Sequence, residues 1–274
     1  MKDFFEDISA FKEVQLNFEP EYENLLRFNS FKSLPDFMIV ESDERCRDVP
    51  GRLTVRLDLK DDAGISTICY LKRHWQVTSG KGKPHFEADS EWENIKRLHD
   101  DGVSVPRPMA FGKGSYKGDP VSFVLTKEVP GYQGDHFIER HFDLTDLKRK
   151  HMLLEQLGEF SGKFHRLGYN HRDFYLCHTF IHDKGTEFEL NLIDLQRVQK
   201  RTSFRGRWII KDLSQMNYSA FSKISCHDRL RFFKKYVGRD TLTSADKRLI
   251  SAVLKKTEQL RKKEEAARRK GKPL

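Results

Sequence analysis

The sequence predicts an α+β protein with a strand-rich first half and a mostly helical second half. Two observations carry this. Between residues 53 and 126, short runs alternate apolar and polar side chains, with turn signals between them. From Leu153 onward the apolar residues instead recur at three- and four-residue steps. The 274 residues suit one large domain or two packed lobes with a sizeable core. The division read from the chain is 1–130, 131–254 and a basic tail, 255–274.

The elements follow in order. Residues 53–59 alternate as a half-buried strand does, Asp61-Asp62-Ala63-Gly64 is a turn, and 66–73 is a second strand, so the two form a hairpin. Residues 88–100 read as a helix, with Glu91, Ile95 and Leu98 on one face and Gly102 as its stop. Residues 103–108 are an extended, proline-stiffened link. Residues 121–126 are another strand, broken by Val129-Pro130-Gly131, which places a link near 128–131. In the second half Leu153, Leu157, Phe160, Phe164 and Leu167 mark a buried helix capped by Gly168. A loop covers 169–175, a short strand covers 188–193 and ends at Asp194, and 209–221 and 227–237 are helical. There is no internal repeat.

Composition excludes several classes. Hydrophobic residues are 37% and charged residues 33%, which describes a soluble globular chain. No stretch approaches the roughly 18 apolar residues that span a bilayer. The N-terminus is acidic and lacks the apolar region of a secretory signal. Cys46, Cys69, Cys177 and Cys226 are scattered without a CxxC pair, so neither disulfides nor a zinc site is expected, and a reducing cytoplasm fits. Net charge is +9, of which +6 lies in 255–274, so the rest is nearly balanced. The tail reads either as a solvated helix end or as an element drawn to an anionic surface. No nucleic-acid partner is expected.

Phosphoryl transfer asks a protein for a cation on the phosphates, metal ligands, a group that orients the acceptor hydroxyl, and exclusion of water. Each of the first three has a candidate. Asp173, in His171-Arg172-Asp173, sits in a loop after a buried helix and would orient the hydroxyl and take its proton. Alone, the tripeptide reads equally as a surface loop with a local ion pair. Arg172 would pair with nearby carboxylates or backbone and hold the loop. His178 stands where such enzymes usually carry asparagine. A neutral imidazole can ligate a metal but is softer than Mg²⁺ prefers, so a hydrogen bond to Asp194 or to phosphate, or a packing role, stays open. Asp194 lies 21 residues after Asp173 at the end of an apolar run, as a metal ligand or a turn aspartate.

Lys72 follows an apolar run and would clamp the α/β-phosphates, with Glu91 as the acid that keeps it in place. Glu93, about 200° around the helix, faces solvent. Lys72 and Arg73 alternate in direction, so only one points inward, and Lys72 is assigned that place with Ile68 and Tyr70. A phosphate-covering loop is poorly marked: residues 47–52 hold one glycine and no G-x-G-x-x-G. Ser79-Gly80-Lys81-Gly82-Lys83-Pro84 reads as a mobile basic loop or a phosphate contact. His165 is a core or helix-end histidine.

Taken together, Tyr70-Leu71-Lys72-Arg73, Glu91 ahead of Gly102-Val103-Ser104-Val105-Pro106, His171 through His178, Ile193-Asp194-Leu195-Gln196-Arg197 and Arg207 through Leu213 resemble the lipopolysaccharide core kinase family, the Kdo/WaaP type. The resemblance covers residues 52–237, and its R-D-x-Y-x-x-H form separates this group from ordinary protein kinases. It implies a protein-kinase-like fold with a small β-rich N-lobe and a larger helical C-lobe. It implies ATP with Mg²⁺ and phosphorylation of a sugar hydroxyl, heptose or Kdo, in the lipopolysaccharide inner core. The place of work it implies is the cytoplasmic face of a Gram-negative inner membrane, with peripheral contact to that anionic surface. Under it His171, Arg172 and Asp173 form the catalytic set with Asp173 as base. Lys72, Glu91, Glu128 and Val129 bind the nucleotide, and Asp194 and His178 bind the metal. Arg197 and Lys211 match the pattern without an assigned role. Two other readings remain. An atypical small protein kinase would use the same site, although no activation segment follows Asp194. A non-catalytic nucleotide-binding adaptor would not need Lys72, Glu91, Asp173 and Asp194 together.

Overall fold

The computed structural model describes residues 5–75, 86–203, 205–220 and 224–270. The chain divides into two compact units, Met1–Val129 and Pro130–Leu274.

The first unit runs β1 (Phe11–Phe18), α1 (Glu23–Phe28), α2 (Leu34–Ile39), β2 (Arg45–Val49), β3 (Arg52–Lys60), β4 (Ser66–Trp75), α3 (Glu87–Asp100), β5 (Pro108–Tyr116) and β6 (Asp119–Lys127). The six strands form one antiparallel sheet in the order β1-β5-β6-β4-β3-β2. The expected hairpin is β3–β4, with Lys60 opposite Ser66. Sequence periodicity does not show β1, β2, β5, α1 or α2. β5 contains a proline and two glycines, residues that weaken a strand pattern, yet a Cβ at Gly114 would meet the Lys12 carbonyl oxygen at 2.2 Å. Glycine there is what lets β1 approach. Every residue of β2 is exposed, so there is no alternation to read.

Both faces of this sheet are covered, and that corrects the expectation for β4. Leu53, Val55, Cys69, Leu71 and Phe123 pack against Leu34, Phe37 and Met38 of α2 on one face. Phe37 stacks on Phe123 with ring centroids 4.0 Å apart. Helix α3 covers the other face through Trp92, stacked on Phe111, and Ile95. Lys72 and Arg73 therefore both point into the unit, in opposite directions. Arg73 shares the Cys69 and Leu71 side, is fully buried, and donates to the Met38 and Val40 carbonyl oxygens at 3.1 and 2.7 Å. It satisfies acceptors that the end of α2 leaves unpaired. Burial lowers its pKa to about 10.

The second unit runs β7 (Tyr132–Gln133), α4 (Gly134–His136), α5 (Leu147–Arg166), β8 (Tyr169–Asn170), β9 (Thr179–Asp183), β10 (Phe188–Leu192), β11 (Gln199–Lys200), α6 (Gly206–Ser219), α7 (Cys226–Val237) and α8 (Ser244–Arg269). Helix α5 lies on α7 and α6 on α8. Gly158 and Gly162 make the α5–α7 approach possible, since a Cβ on either would sit 2.4 Å from a carbonyl oxygen of Phe232 or Tyr236. Most of the stretch expected as a separate tail from Lys255 is the second half of α8, so that boundary falls inside a helix. Val253 and Thr257 of α8 are buried, and Asn217 of α6 donates to Thr257 Oγ1 at 3.0 Å.

Candidate active site

In the first unit, register and burial place Lys72 beside Glu91. Strand β4 turns Lys72 toward α3, where Nζ donates to Glu91 Oε1. The lysine side chain is 19% exposed and the glutamate 4%, so the pair is shielded but the amine is reachable. Glu93 is exposed. Glu128 sits just past β6: its backbone N–H donates to the Ile68 carbonyl, and its carboxylate accepts from Tyr70 Oη at 3.2 Å and Arg56 Nε at 3.4 Å. Burial, then Glu128, pushes the Tyr70 phenol up to about 12. Val129 is buried beside it. The expected phosphate-covering loop is the tight β2–β3 turn, Val49 facing Arg52, with Trp75 N donating to the Gly51 carbonyl. Residues 79–84 lie outside the described residues.

In the second unit, a loop is held from below by one helix. Asp212, Gln215 and Ser219 occupy one stripe of α6 at i, i+3 and i+7. Asp212, fully buried, accepts from the backbone N–H of His171 at 2.8 Å and of Arg172 at 2.9 Å. Gln215 Oε1 accepts from Phe174 N at 3.0 Å and Ser219 Oγ from Leu176 N at 2.9 Å. His165, buried in α5, donates through Nε2 to Asp212 at 3.3 Å and accepts from the Tyr236 hydroxyl at Nδ1. It is the core residue its sequence position suggested. The clamp holds Arg172 at φ +73°, a left-handed conformation that side chains other than glycine rarely adopt.

Arg172 corrects the sequence reading. Its backbone, not its guanidinium, ties down the loop, and the side chain lies over the Trp208 ring, 5.1 Å from the centroid. His171 is fully buried, and Nε2 donates to the Ile193 carbonyl at 2.9 Å. Burial, then the nearby His178, depresses its pKa, so the ring is neutral. It shapes the loop without reaching the surface.

Asp173 presents its carboxylate beside two cations. Arg197 Nη1 is 2.6 Å from Oδ2 and Lys211 Nζ is 3.9 Å from Oδ1. Lys211 also donates to the Arg172 carbonyl. Burial pushes the Lys211 amine below its ordinary value, with Asp173 opposing. These two cations, and the α6 stripe, are the site residues whose roles sequence reasoning missed.

His178 and Asp194 are brought together by the β9–β10 hairpin. The His178 carbonyl accepts from Ile193 N, and Asp194 follows in a left-handed conformation at φ +59°. His178 Nδ1 is 2.7 Å from the Asp173 carbonyl oxygen. A carbonyl only accepts, so Nδ1 carries a proton, which leaves Nε2 as the ring nitrogen able to offer a lone pair. That nitrogen is 3.7 Å from Asp194 Oδ2, too long for a hydrogen bond. Among the described residues no group of three or more His, Cys, Asp or Glu could hold a metal. A carboxylate with one auxiliary ligand fits Mg²⁺, which usually takes one or two carboxylates and completes its shell with phosphate and water.

A lysine fixed by a buried glutamate, and an aspartate on a clamped loop followed by a second aspartate after a hairpin, form the pattern of groups that protein-kinase-like phosphotransferases use. Residues 71–236 match the model of the Lipopolysaccharide kinase (Kdo/WaaP) family, and the chain belongs to that family. It is 33% identical to the lipopolysaccharide core heptose(I) kinase WaaP of Pseudomonas aeruginosa, over 70% of this chain and 76% of the relative. It is 31% identical to the enzyme of that name from Escherichia coli K12, over 82% and 89%. A solved structure described as WaaP in complex with acyl carrier protein superposes with a TM-score of 0.69 at 27% identity, covering 90% of this chain and 99% of that one. The protein is an ATP-using sugar kinase of lipopolysaccharide core biosynthesis.

Proposed function

We propose that this chain transfers the γ-phosphate of ATP to a hydroxyl of heptose(I) in the lipopolysaccharide inner core, with Asp173 as the general base. The observation that carries the chemistry is the loop clamped on Asp212, which fixes Asp173 while leaving its carboxylate accessible. The acceptor follows from the heptose(I) kinases the chain resembles, in preference to Kdo. The acceptor hydroxyl gives its proton to Asp173, its oxygen bonds to the γ-phosphorus, and the bond to the β-phosphate oxygen breaks to release ADP. Lys72, held by Glu91, binds the α/β-phosphates. Glu128 and Val129 belong to the nucleotide-binding part of the first unit. His171 and Arg172 act by shaping the loop. Asp194 with His178 would hold Mg²⁺, which neutralises charge on the phosphate oxygens when bound.

The work is placed at the inner face of the inner membrane, where the basic half of α8 meets an anionic surface. No helix among the described residues is long and apolar enough to cross a membrane. The acyl-carrier-protein association of the solved relative is extended to this chain. An apolar cavity of about 380 Å³ within the second unit, lined by Leu157, Leu213, Met216, Phe233 and Val253, suits an acyl chain.

The test is incubation with γ-labelled ATP and core lipopolysaccharide lacking the heptose(I) phosphate. Label on that heptose is expected. Label on a Kdo-only acceptor or on protein, with none on heptose, would overturn the assignment.

A further inference from the structure

Three arginines converge on one indole beside the base. Trp208 opens the first turn of α6, and the guanidinium carbons of Arg207, Arg201 and Arg172 lie 4.5, 4.6 and 5.1 Å from its ring centroid. From Arg197 to Lys211 the chain carries six Lys or Arg and no Asp or Glu. Among the described residues none of the three guanidiniums is in an ion pair. Arg201 reaches only the Gln199 amide oxygen, and the Nε atoms of Arg172 and Arg201 are buried without a partner. The nearby carboxylates are already engaged, Asp173 by Arg197 and Lys211, and Asp212 by backbone amides beneath the loop.

Guanidiniums tolerate each other on an aromatic face because the ring quadrupole attracts each of them, but their mutual repulsion is left uncompensated. An oxyanion among them would reverse that balance. Planar N–H forks are the donor set that carboxylates and phosphates accept in pairs. The nucleotide does not need these groups, since its phosphates fall to Lys72 and the metal at Asp194. Arg172 immediately precedes the base, so an anion held by this cluster belongs to the molecule whose hydroxyl Asp173 orients.

We propose that Arg172, Arg201 and Arg207, gathered on Trp208, form a subsite that recognises an oxyanion of the acceptor, a carboxylate or phosphate carried near the sugar that is phosphorylated. This rests on the lipopolysaccharide reading above. Arg201→Gln/Arg207→Gln leaves the base, its loop and the nucleotide residues intact. In that variant KM for the core glycolipid should rise at least about tenfold, and its calorimetric Kd should weaken in parallel. KM for ATP and the melting temperature should stay at wild-type values. Wild type should show the same loss with a glycolipid whose carboxylates are amidated or with one stripped of phosphate, and the arm that shows it names the source. Unchanged acceptor KM and Kd in the variant would overturn the subsite, as would equal losses for ATP and acceptor. Wild type that binds the glycolipid without phosphorylating it would overturn the kinase assignment alone. Wild type that does not bind it would overturn both.

Discussion

In the first unit Lys72 is placed by strand register and one ion pair, whereas in the second Asp173 sits on a loop whose backbone is bound by side chains of α6. Register is a property of the whole six-stranded sheet, so removing Glu91 frees a side chain but leaves the strand where it was. The loop has no such lattice. It borrows rigidity from Asp212, Gln215 and Ser219, and losing one of them should move Asp173 itself. Activity and stability should therefore separate for the contacts that hold Lys72 and travel together for the α6 side chains that hold the Asp173 loop.

The largest expected effect is on Asp173, the proposed base. Asp173→Asn should lower kcat by about 10²–10⁴ with little change in melting temperature, because the carboxylate is partly exposed, an amide oxygen can still accept from Arg197, and the backbone contacts of the loop remain. Lys72→Met should cost about 10²–10³ in kcat/KM by the loss of a preorganised cation on the phosphates, again at nearly constant stability. Glu91→Gln should fall short of that. A large drop in the melting temperature of either variant would break the comparison.

Asp212→Asn should do both things at once. An amide retains one acceptor for two backbone donors, so unfolding should become easier by about 2 kcal/mol and kcat should fall with it. Denaturant titration beside steady-state kinetics checks this, and full activity in a destabilised variant would show that the loop keeps its shape by other means. Ser219→Ala, which removes one neutral acceptor from Leu176 N, should cost about 1 kcal/mol.

The smallest effect is a pH dependence. His171 is buried and its pKa is depressed below 6.5. The neutral ring is favoured in the folded state, so its contribution is complete above pH 6.5 and is lost as pH falls below that value. Melting temperature measured from pH 7.5 to 5.5 should decline, and His171→Gln should decline less steeply over the same range.

What was legible in the sequence was whatever repeats. β3, β4, β6, α3 and α5 announce themselves by period, and Glu91 could be matched to Lys72 because a helix face is predictable. Arg73 was misread because alternation says that two neighbours diverge but not that a second layer, α2, waits on the far side. β5 was hidden by the glycines its packing needs. The α6 stripe was hidden for a related reason: Asp212, Gln215 and Ser219 make a polar face, and a polar face reads as solvent until something folded is found against it. The contacts of Arg197 and Lys211 with Asp173 join residues 24 and 38 positions away, and no local pattern records such a meeting.

The continuity of α8 changes what its charge can do. A 26-residue helix is about 39 Å long. Its first half is fastened to α6 as far as Val253 and Thr257 near the middle, and most of the basic residues ride beyond that point. A loose tail of that charge would only tether, letting the body tumble beneath it. Charge on a rod exerts a torque: an anionic plane that attracts the far end also orients the unit fixed to the near end. The arm would then set the angle at which the second unit meets a surface, and shortening it by one turn would draw that charge in by about 5.4 Å while keeping it on nearly the same side.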